Sequence, residues 1–180
     1  GSGEHHSGQV RMAYRLAASH VDRLLYVHGI GWHHFDGTRW TEDDSGHAGR
    51  AVLEVLSAAL AESVGDKQLR ADVARCESEG GILGVLGIAS KLVEFAATVR
   101  DLDADPYLLN CSNGTLDLRT RQVRPHDPRD RLTKVARGAY DPGTDCTEWE
   151  RFLGQVLPDA EERAYLQRVI GQSVYGRVRE

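Results

Sequence analysis

The chain has 180 residues, a length that suits one domain or one domain with a short appendage. Hydrophobic residues make up 41% of it and charged residues 27%, as in an ordinary soluble globular protein and unlike a disordered or membrane protein. The formal net charge of −5 argues against a dedicated nucleic-acid-binding protein, although a whole-chain value can conceal a local basic patch.

The three cysteines, Cys76, Cys111 and Cys146, lie far apart in the sequence. No two have the spacing of a metal-binding pair, and an odd number cannot form a closed set of disulfides. We therefore expect small buried thiols in a reducing, cytoplasmic compartment.

The two ends of the sequence suggest a piece of a longer protein. Gly1-Ser2-Gly3 is typical of a cloning remnant, so residues 1–8 are expected to be a tag or a disordered start. A helical pattern continues almost to Glu180, which indicates that the parent chain goes on. The apolar run over residues 80–89 is too short to span a membrane, so a buried helix is expected there and no membrane partner.

The first predicted elements are a helix over residues 9–23 and a small antiparallel sheet over residues 24–41. The clearest sign of the sheet is Asp36-Gly37 between two aromatic runs, because a type I′ turn needs positive φ at both central residues. Asp44 or Ser45 is expected to cap the helix that follows by accepting bonds from free backbone N–H groups.

Three more helices are predicted after this sheet. Apolar residues recur at helical spacing over residues 48–60 and again, more briefly, over residues 69–76. Residues 82–99 form a third segment that is apolar nearly all round, which predicts a central, buried helix. Gly84 and Gly87 would let a neighbouring helix approach it closely, at about 1 kcal/mol each in helix propensity.

A second β unit is predicted around Asn113-Gly114, the most favourable type I′ pair, between apolar runs on either side. Residues 122–124 and 132–135 are expected to extend this hairpin. A capping box of Thr147 and Glu150 then opens a helix.

Pro158 ends the helix that begins at this capping box, and Asp159 caps another one. The predicted fold class is α+β, with a mainly helical body and two small antiparallel β-hairpin units. The predicted division is a start over residues 1–8, an α+β domain over residues 9–145 and a C-terminal helical pair over residues 146–180.

These landmarks, in this order, resemble the helicase-associated region of the poxvirus-, phage- and plasmid-type primase-helicases. The resemblance covers nearly the whole chain, and the stretch around Asn113 is its most specific part. The matching stretches are residues 31–40, 103–110, 113–120, 125–128 and 140–142, with Trp149 and Phe152, and residues 165–167 with Gly171. Arg121 departs from the pattern, because the family usually has Gly there. An arginine in place of this glycine argues against a tight turn at residue 121, after the hairpin around Asn113, and adds a positive charge.

The resemblance implies a segment between a primase module and a superfamily III ATPase. Its role would lie in hexamer assembly, in a collar on the helicase ring or in guiding DNA into the channel, during replication of phage, prophage or plasmid DNA. The parent would be an ATP-dependent DNA helicase that could also carry primase activity. The implied partners are single-stranded or forked DNA, other copies of the chain in a hexamer, and the adjacent ATPase domain.

ATP and Mg²⁺ would belong to that ATPase domain. A phosphate loop needs Gly-x-x-x-x-Gly-Lys followed by Ser or Thr, so that backbone N–H groups and the lysine hold the phosphates. No such string stands in residues 1–180. We therefore expect no cofactor, no catalytic residue and no ATP hydrolysis in this segment itself.

The strongest candidate site is a basic segment over residues 119–137. It places seven cations against two carboxylates, Asp127 and Asp130, and so carries +5 in a chain of net charge −5. The cations are Arg119, Arg121, Arg124, Arg129, Arg131, Lys134 and Arg137. Strand alternation could place Arg119 and Arg121, with Arg131 as a further candidate, on one side of a hairpin, where they could bind phosphates in a salt-sensitive, sequence-independent way. The alternatives are contact with an acidic surface of a neighbouring subunit, or a solvated face.

Trp32 and Trp40 are candidates for stacking on nucleic-acid bases, although aromatic residues on a short hairpin also serve as cross-strand packing. No metal site is expected from the histidines. No cysteine is near them in sequence, and His33 and His34 point to opposite faces of a regular strand.

Asp101, Asp103 and Asp105 alternate, as carboxylates that hold a divalent cation can do. A calcium loop is excluded, because Pro106 and Ser112 stand where it needs Gly and Glu. The aspartates also fit an ordinary turn. Two alternative functions remain open: a primase module that performs metal-dependent nucleotidyl transfer, and a structural linker that binds nothing.

Overall fold

The structure, a computed structural model, describes residues 6–175. Within these residues it has six α-helices and seven short strands in two sheets, which confirms the predicted α+β class. The chain divides into two compact units between Leu102 and Asp103. This boundary differs from the predicted one after residue 145, because the C-terminal helices belong to the same compact unit as the second sheet. Of the predicted tag, residues 1–5 lie outside the described residues, and the first helix already includes Gly8.

The N-terminal unit contains a four-helix core. Its helices are α1 (Gly8–His20), α2 (His47–Glu62), α3 (Lys67–Cys76) and α4 (Glu79–Ala89). Aliphatic residues at helical spacing share one buried cluster, to which each helix contributes; examples are Met12, Val52, Val73 and Val85. Full burial of a side chain of this kind stabilises the fold by about 1.5–3 kcal/mol. The predicted helices at residues 9–23, 48–60 and 69–76 are confirmed.

A four-stranded sheet completes this unit. Its strands are β1 (Leu24–Val27), β2 (Gly31–Phe35), β3 (Trp40–Glu42) and β4 (Ala96–Ala97), in the order β3-β2-β1-β4. The first three form the predicted antiparallel sheet. The fourth pairs in parallel with β1 and was not predicted.

The predicted helix over residues 82–99 is wrong beyond Ala89, where α4 ends. Phe95 is fully buried in the helical core, and β4 follows it directly. A continuous apolar run has no periodicity that could separate a buried helix from a buried strand. Gly84 does permit a close approach, because a Cβ there would lie 2.4 Å from the Gln9 side chain of α1, whereas Gly87 faces open space.

The loop between β2 and β3 is longer than the predicted type I′ turn. Phe35 pairs with Trp40, so four residues connect the strands, and of Asp36 and Gly37 the glycine alone has positive φ. The Asp36 carboxylate accepts hydrogen bonds from the backbone N–H groups of Thr38 and Arg39, at 2.7 and 2.9 Å. This side-chain bonding stabilises a wider loop.

The start of α2 is also capped by a different residue from the two predicted, Asp44 and Ser45. The carboxylate of Asp43 accepts hydrogen bonds from the backbone N–H groups of His47 and Ala48, both at 2.7 Å. These are two of the N–H groups that a helix leaves without an internal acceptor.

The C-terminal unit begins with a three-stranded antiparallel sheet of β5 (Leu108–Cys111), β6 (Gly114–Asp117) and β7 (Gln122–Arg124). The predicted hairpin is confirmed, but its turn consists of Ser112 and Asn113, because Cys111 pairs with Gly114. Gly114 has φ +146°, and a Cβ there would lie 2.4 Å from the carbonyl oxygen of Arg124. Glycine is therefore needed at this position for the approach of β7.

Residues 132–135 do not form the predicted strand. They run beside β5 as extended chain, and the Asn110 side chain donates a hydrogen bond to the carbonyl oxygen of Lys134 at 2.9 Å. Two helices follow, α5 (Thr147–Val156) and α6 (Ala160–Ser173). Across residues 6–175, every helix is too short or too polar to cross a lipid bilayer.

The caps of these two helices were predicted with mixed success. Asp159 caps α6 as expected, accepting hydrogen bonds from the N–H groups of Glu161 and Glu162. The capping box at Thr147 is wrong, because Thr147 is already helical and its N–H donates to the Asp145 carboxylate at 2.8 Å.

Candidate functional site

The basic segment lies wholly in the C-terminal unit, on turns and extended chain more than on strands. Arg119 and Arg121 occupy the turn between β6 and β7, and Arg124 ends β7. Arg129 lies in a single 3₁₀ turn, Pro128–Asp130. The alternation of strand faces therefore does not place Arg119, Arg121 and Arg131 on one side, and that part of the prediction is wrong.

Arg119 is bound by carboxylates that precede it in the sequence. Its guanidinium donates two hydrogen bonds to Asp105, at 2.8 and 3.1 Å, and lies 3.7 Å from Asp117. It also covers the ring of Tyr107, 4.2 Å from the ring centroid. The bonds to Asp105 raise the pKa of Arg119 above its ordinary value. This cation is thus held in place by its own unit.

Two further arginines pair with the aspartates of the segment itself. Arg124 donates a bidentate pair to Asp130, at 2.6 and 2.8 Å. Arg129 binds Asp127 through its side chain and its backbone N–H, and these bonds lower the pKa of Asp127 to about 2. Much of the local positive charge is therefore compensated.

Arg121 occupies a strained position in a tight turn. Its N–H donates to the carbonyl oxygen of Asp117 at 2.7 Å, and its φ is +60°. A residue with a Cβ pays about 1–2 kcal/mol for this left-handed conformation. A tight turn is therefore present at residue 121, although the arginine there was expected to disfavour one. The resemblance implies glycine at this position.

Three cations of the basic segment form no ion pair within residues 6–175. Arg121, Lys134 and Arg137 are exposed, and no ion pair joins any of them to a carboxylate of residues 6–175. Arg131 differs from them, because it is half-buried and its carbonyl oxygen accepts a hydrogen bond from the backbone N–H of Asp103 at 3.0 Å. The cations available to a partner are thus fewer than the sequence indicated.

The alternating aspartates serve turns and not a common cation. Asp101 accepts hydrogen bonds from the N–H and hydroxyl of Thr98, and Asp103 accepts the same two kinds of bond from Thr133. Asp105 binds Arg119. Across residues 6–175, the one group of three ligating side chains close enough to share a cation contains none of these aspartates.

The aromatic candidates take part in packing. Trp40 is 3% exposed and lies in a small core with Leu25 and Val27, so it offers no face to a base. Trp32 is half-buried and meets Tyr26 and Phe95 edge-on, with centroids 5.3 and 5.4 Å apart. Both tryptophans therefore fit the cross-strand packing alternative better than base stacking.

Large apolar side chains are exposed on the C-terminal helices. Trp149, Phe152 and Val156 follow one another along one face of α5, each about half-exposed, and the first two rings stack with centroids 5.8 Å apart. On α6, Tyr165, Val169 and Ile170 are similarly exposed. No residue of either helix is buried. We call these six residues the C-terminal apolar faces.

Two of the three cysteines are buried as predicted. Burial raises the pKa of the Cys76 and Cys111 thiols, which makes them unreactive. Cys146 is exposed, contrary to the prediction, because it precedes α5 in a unit with little core of its own.

One side-chain group was not indicated by the sequence pattern. His34, Asp43 and His47 meet in the N-terminal unit, with ligating atoms all within 4.8 Å of one another. No metal site was expected, because the histidines next to His34 in sequence are not arranged as ligands. The partners of His34 come instead from the residue after β3, Asp43, and from the first residue of α2, His47.

Comparison with known proteins gives a match to one protein family. No curated protein matches the chain. A family model described as D5 N terminal like matches residues 13–158, which include both sheets, most of the four-helix core and the basic segment. The match agrees with the resemblance carried by the stretches around Trp32 and Asn113. The chain therefore belongs to the D5 N-terminal-like family, a domain found in primase-helicases of viral and phage type.

Proposed function

We propose that this chain is an assembly region of a replicative primase-helicase, and that copies of it associate through the C-terminal apolar faces. The observation that carries the proposal is the exposure of Trp149 and Phe152, 52% and 50%, on helices without a buried residue. Large exposed apolar patches are uncommon on monomeric proteins and mark interaction sites. The parent would be a hexameric, ATP-dependent DNA helicase acting in DNA replication.

The energetics favour association through these faces over association through the basic segment. Covering the exposed half of an aromatic side chain contributes about 1 kcal/mol, and six apolar side chains are available. Exposed ion pairs contribute less than this, and Arg119, Arg124 and Arg129 already have partners in their own unit.

Sedimentation velocity over a wide range of protein concentration tests the proposal. The chain should form higher oligomers as concentration rises, and Trp149→Asp combined with Val169→Asp should keep it monomeric. The matched control, Val64→Asp with Val93→Asp, places the same charges at exposed valines of the N-terminal unit and should leave assembly unchanged.

Two outcomes would contradict this proposal. One is an unmodified chain that stays monomeric at every concentration. The other is a control variant that loses assembly as fully as the variant of the C-terminal apolar faces, because the effect would then come from charge alone.

A second role, engagement of DNA, is supported by Arg121, Lys134 and Arg137, which form no ion pair with a carboxylate of residues 6–175. They could bind phosphates without breaking an ion pair, which the paired arginines could not do. Removing one cation that binds a phosphate lowers the salt dependence of log affinity by about 0.7–0.9, so removal of all three should lower it by roughly 2–3.

Fluorescence anisotropy with single-stranded and duplex DNA, at two salt concentrations, measures this dependence. The variant replaces Arg121, Lys134 and Arg137 with Gln. A matched control replaces the exposed α3 cations Lys67, Arg70 and Arg75 in the same way and removes the same charge. Equal losses of affinity in the two variants would indicate a non-specific charge effect and overturn the DNA role.

A further inference from the structure

Three elements of the N-terminal unit bring His34, Asp43 and His47 together. His34 lies on β2 opposite Thr41, Asp43 directly follows β3, and His47 is the first residue of α2. The Asp43 carboxylate accepts hydrogen bonds from the N–H groups of His47 and Ala48, so the cap that starts α2 also fixes the carboxylate beside the two imidazoles. The backbone therefore fixes the Asp43 carboxylate, and the two imidazoles lie next to it.

Three possible ligand groups lie close enough to serve one divalent cation after a side-chain rotation. The ligating atoms of all three residues lie within 4.8 Å of one another. In a tetrahedral zinc site with bonds of about 2.0–2.1 Å, neighbouring ligand atoms are roughly 3.3–3.4 Å apart. The rings of His34 and His47 stack with centroids 3.8 Å apart and planes 18° from parallel, so their in-plane lone pairs lie in nearly parallel planes. One imidazole must therefore rotate out of the stack before the three ligands meet at one ion.

A cavity of about 370 Å³ adjoins the group, and both histidines line it. Its charged side chains have other partners: Arg50 donates to the carbonyl oxygen of Ser45 at 2.6 Å, and Glu54 lies 3.2 Å from His20 and 3.6 Å from Arg23. The cavity leaves room for a water molecule beside the two histidines.

We propose that His34, Asp43 and His47 bind one Zn²⁺ ion, with water as the fourth ligand, and that the ion fastens the β2–β3 hairpin to the start of α2. Imidazole and carboxylate ligands in this number are typical of zinc sites that keep one position open. The backbone N–H groups of His47 and Ala48 serve as the outer shell that orients the Asp43 carboxylate, and the Thr41 hydroxyl lies 3.3 and 3.4 Å from the two ring nitrogens of His34.

Isothermal titration of the chain with Zn²⁺ tests the proposal. His5 and His6 are adjacent in the sequence and could bind the ion adventitiously, so both are replaced by Ala in every variant. This background should bind one Zn²⁺ per chain. His34→Gln and His47→Gln should each weaken binding at least about tenfold, since even loss of an outer-shell partner costs 10–100-fold. His28→Gln, at an exposed turn, is the matched control and should change nothing.

Asp43→Asn provides a variant that separates binding from folding. The amide oxygen can still accept a backbone hydrogen bond at the start of α2, so circular dichroism should show an intact fold, while loss of the negative charge should weaken Zn²⁺ binding. The midpoint of thermal unfolding should rise with Zn²⁺ in the background chain and not in the His34→Gln variant. Absence of stoichiometric binding, or equal binding by the His34→Gln, His47→Gln double variant, overturns the proposal.

Discussion

The N-terminal and C-terminal units bury their apolar side chains to very different extents. In the N-terminal unit, four helices and a sheet share a core in which Phe95 and Val73 are fully buried. In the C-terminal unit, the helices α5 and α6 contribute no buried residue, and backbone N–H groups that donate to aspartate carboxylates stabilise several of the turns. The N-terminal unit thus has a shared buried core, whereas the C-terminal unit leaves apolar side chains of its helices exposed.

The largest expected effect comes from truncating matched phenylalanines in the two units. Phe95→Ala should destabilise the protein by about 3–5 kcal/mol, because it leaves a cavity in the shared core. Phe152→Ala should cost less than about 0.5 kcal/mol in the monomer, since half of that side chain is already in water. Urea unfolding at low protein concentration measures both, and equal losses would remove the contrast.

A smaller effect is expected where β7 approaches the hairpin of the C-terminal unit. Gly114→Ala should destabilise this unit by about 1–3 kcal/mol, because the new Cβ would meet the Arg124 carbonyl oxygen in a left-handed backbone. Gly138→Ala is the control, with open space around the added Cβ. Thermal unfolding compares the two variants, and equal melting temperatures would show that the approach does not require glycine.

A stabilising change is expected at Arg121. Arg121→Gly should stabilise the C-terminal unit by about 1 kcal/mol, because glycine adopts φ near +60° without the steric cost of a Cβ. Arg121→Ala removes the same charge but keeps the Cβ, so it should give no such gain. Chemical denaturation of both variants distinguishes the backbone effect from the charge effect. An equal gain in the free energy of unfolding with Arg121→Ala would contradict the backbone explanation.

The smallest effect concerns the pH dependence of the Asp127–Arg129 pair. A carboxyl with a pKa lowered to about 2 stabilises the fold fully above the ordinary value of 3.8, and this stability is lost as the pH falls between those values. Because Arg129 is largely exposed, the contribution should stay below about 0.5 kcal/mol.

NMR titration of the Asp127 carboxyl measures this pKa directly. Arg129→Gln should raise it towards 3.8, whereas Lys134→Gln should leave it unchanged. An ordinary pKa in the unmodified chain would show that the pair does not persist in solution.

Sequence periodicity was sufficient where a helix buries one regular face, as in α1, α2 and α3. It was not sufficient for Phe95 and β4, because a parallel strand is defined by a partner about 70 residues earlier in the chain, Tyr26 and Val27. Turn chemistry indicated both hairpins but not their turn types, since the Asp36 carboxylate and the β7 backbone decide these locally.

The candidate site was predicted in part. The basic segment lies where the sequence placed it, but the pairing of Arg119 with Asp105 joins residues 14 apart and depends on the path of the chain. The helical spacing of Trp149, Phe152 and Val156 can be read directly from the sequence, whereas their exposure depends on what the rest of the unit covers. His34 and His47 meet through a helix cap on Asp43 that the sequence pattern assigned to other residues.

The parallel pairing of β4 with β1 limits where the polypeptide can be cut. The backbone N–H groups of Tyr26 and His28 donate to the carbonyl oxygens of Phe95 and Ala97, at 2.7 and 2.8 Å, and so close one edge of the sheet. A protease that cleaved after Ala89 would leave β1 as an open edge able to recruit strands from other molecules. Any shortened version intended to remain monodisperse should therefore extend at least to Leu102.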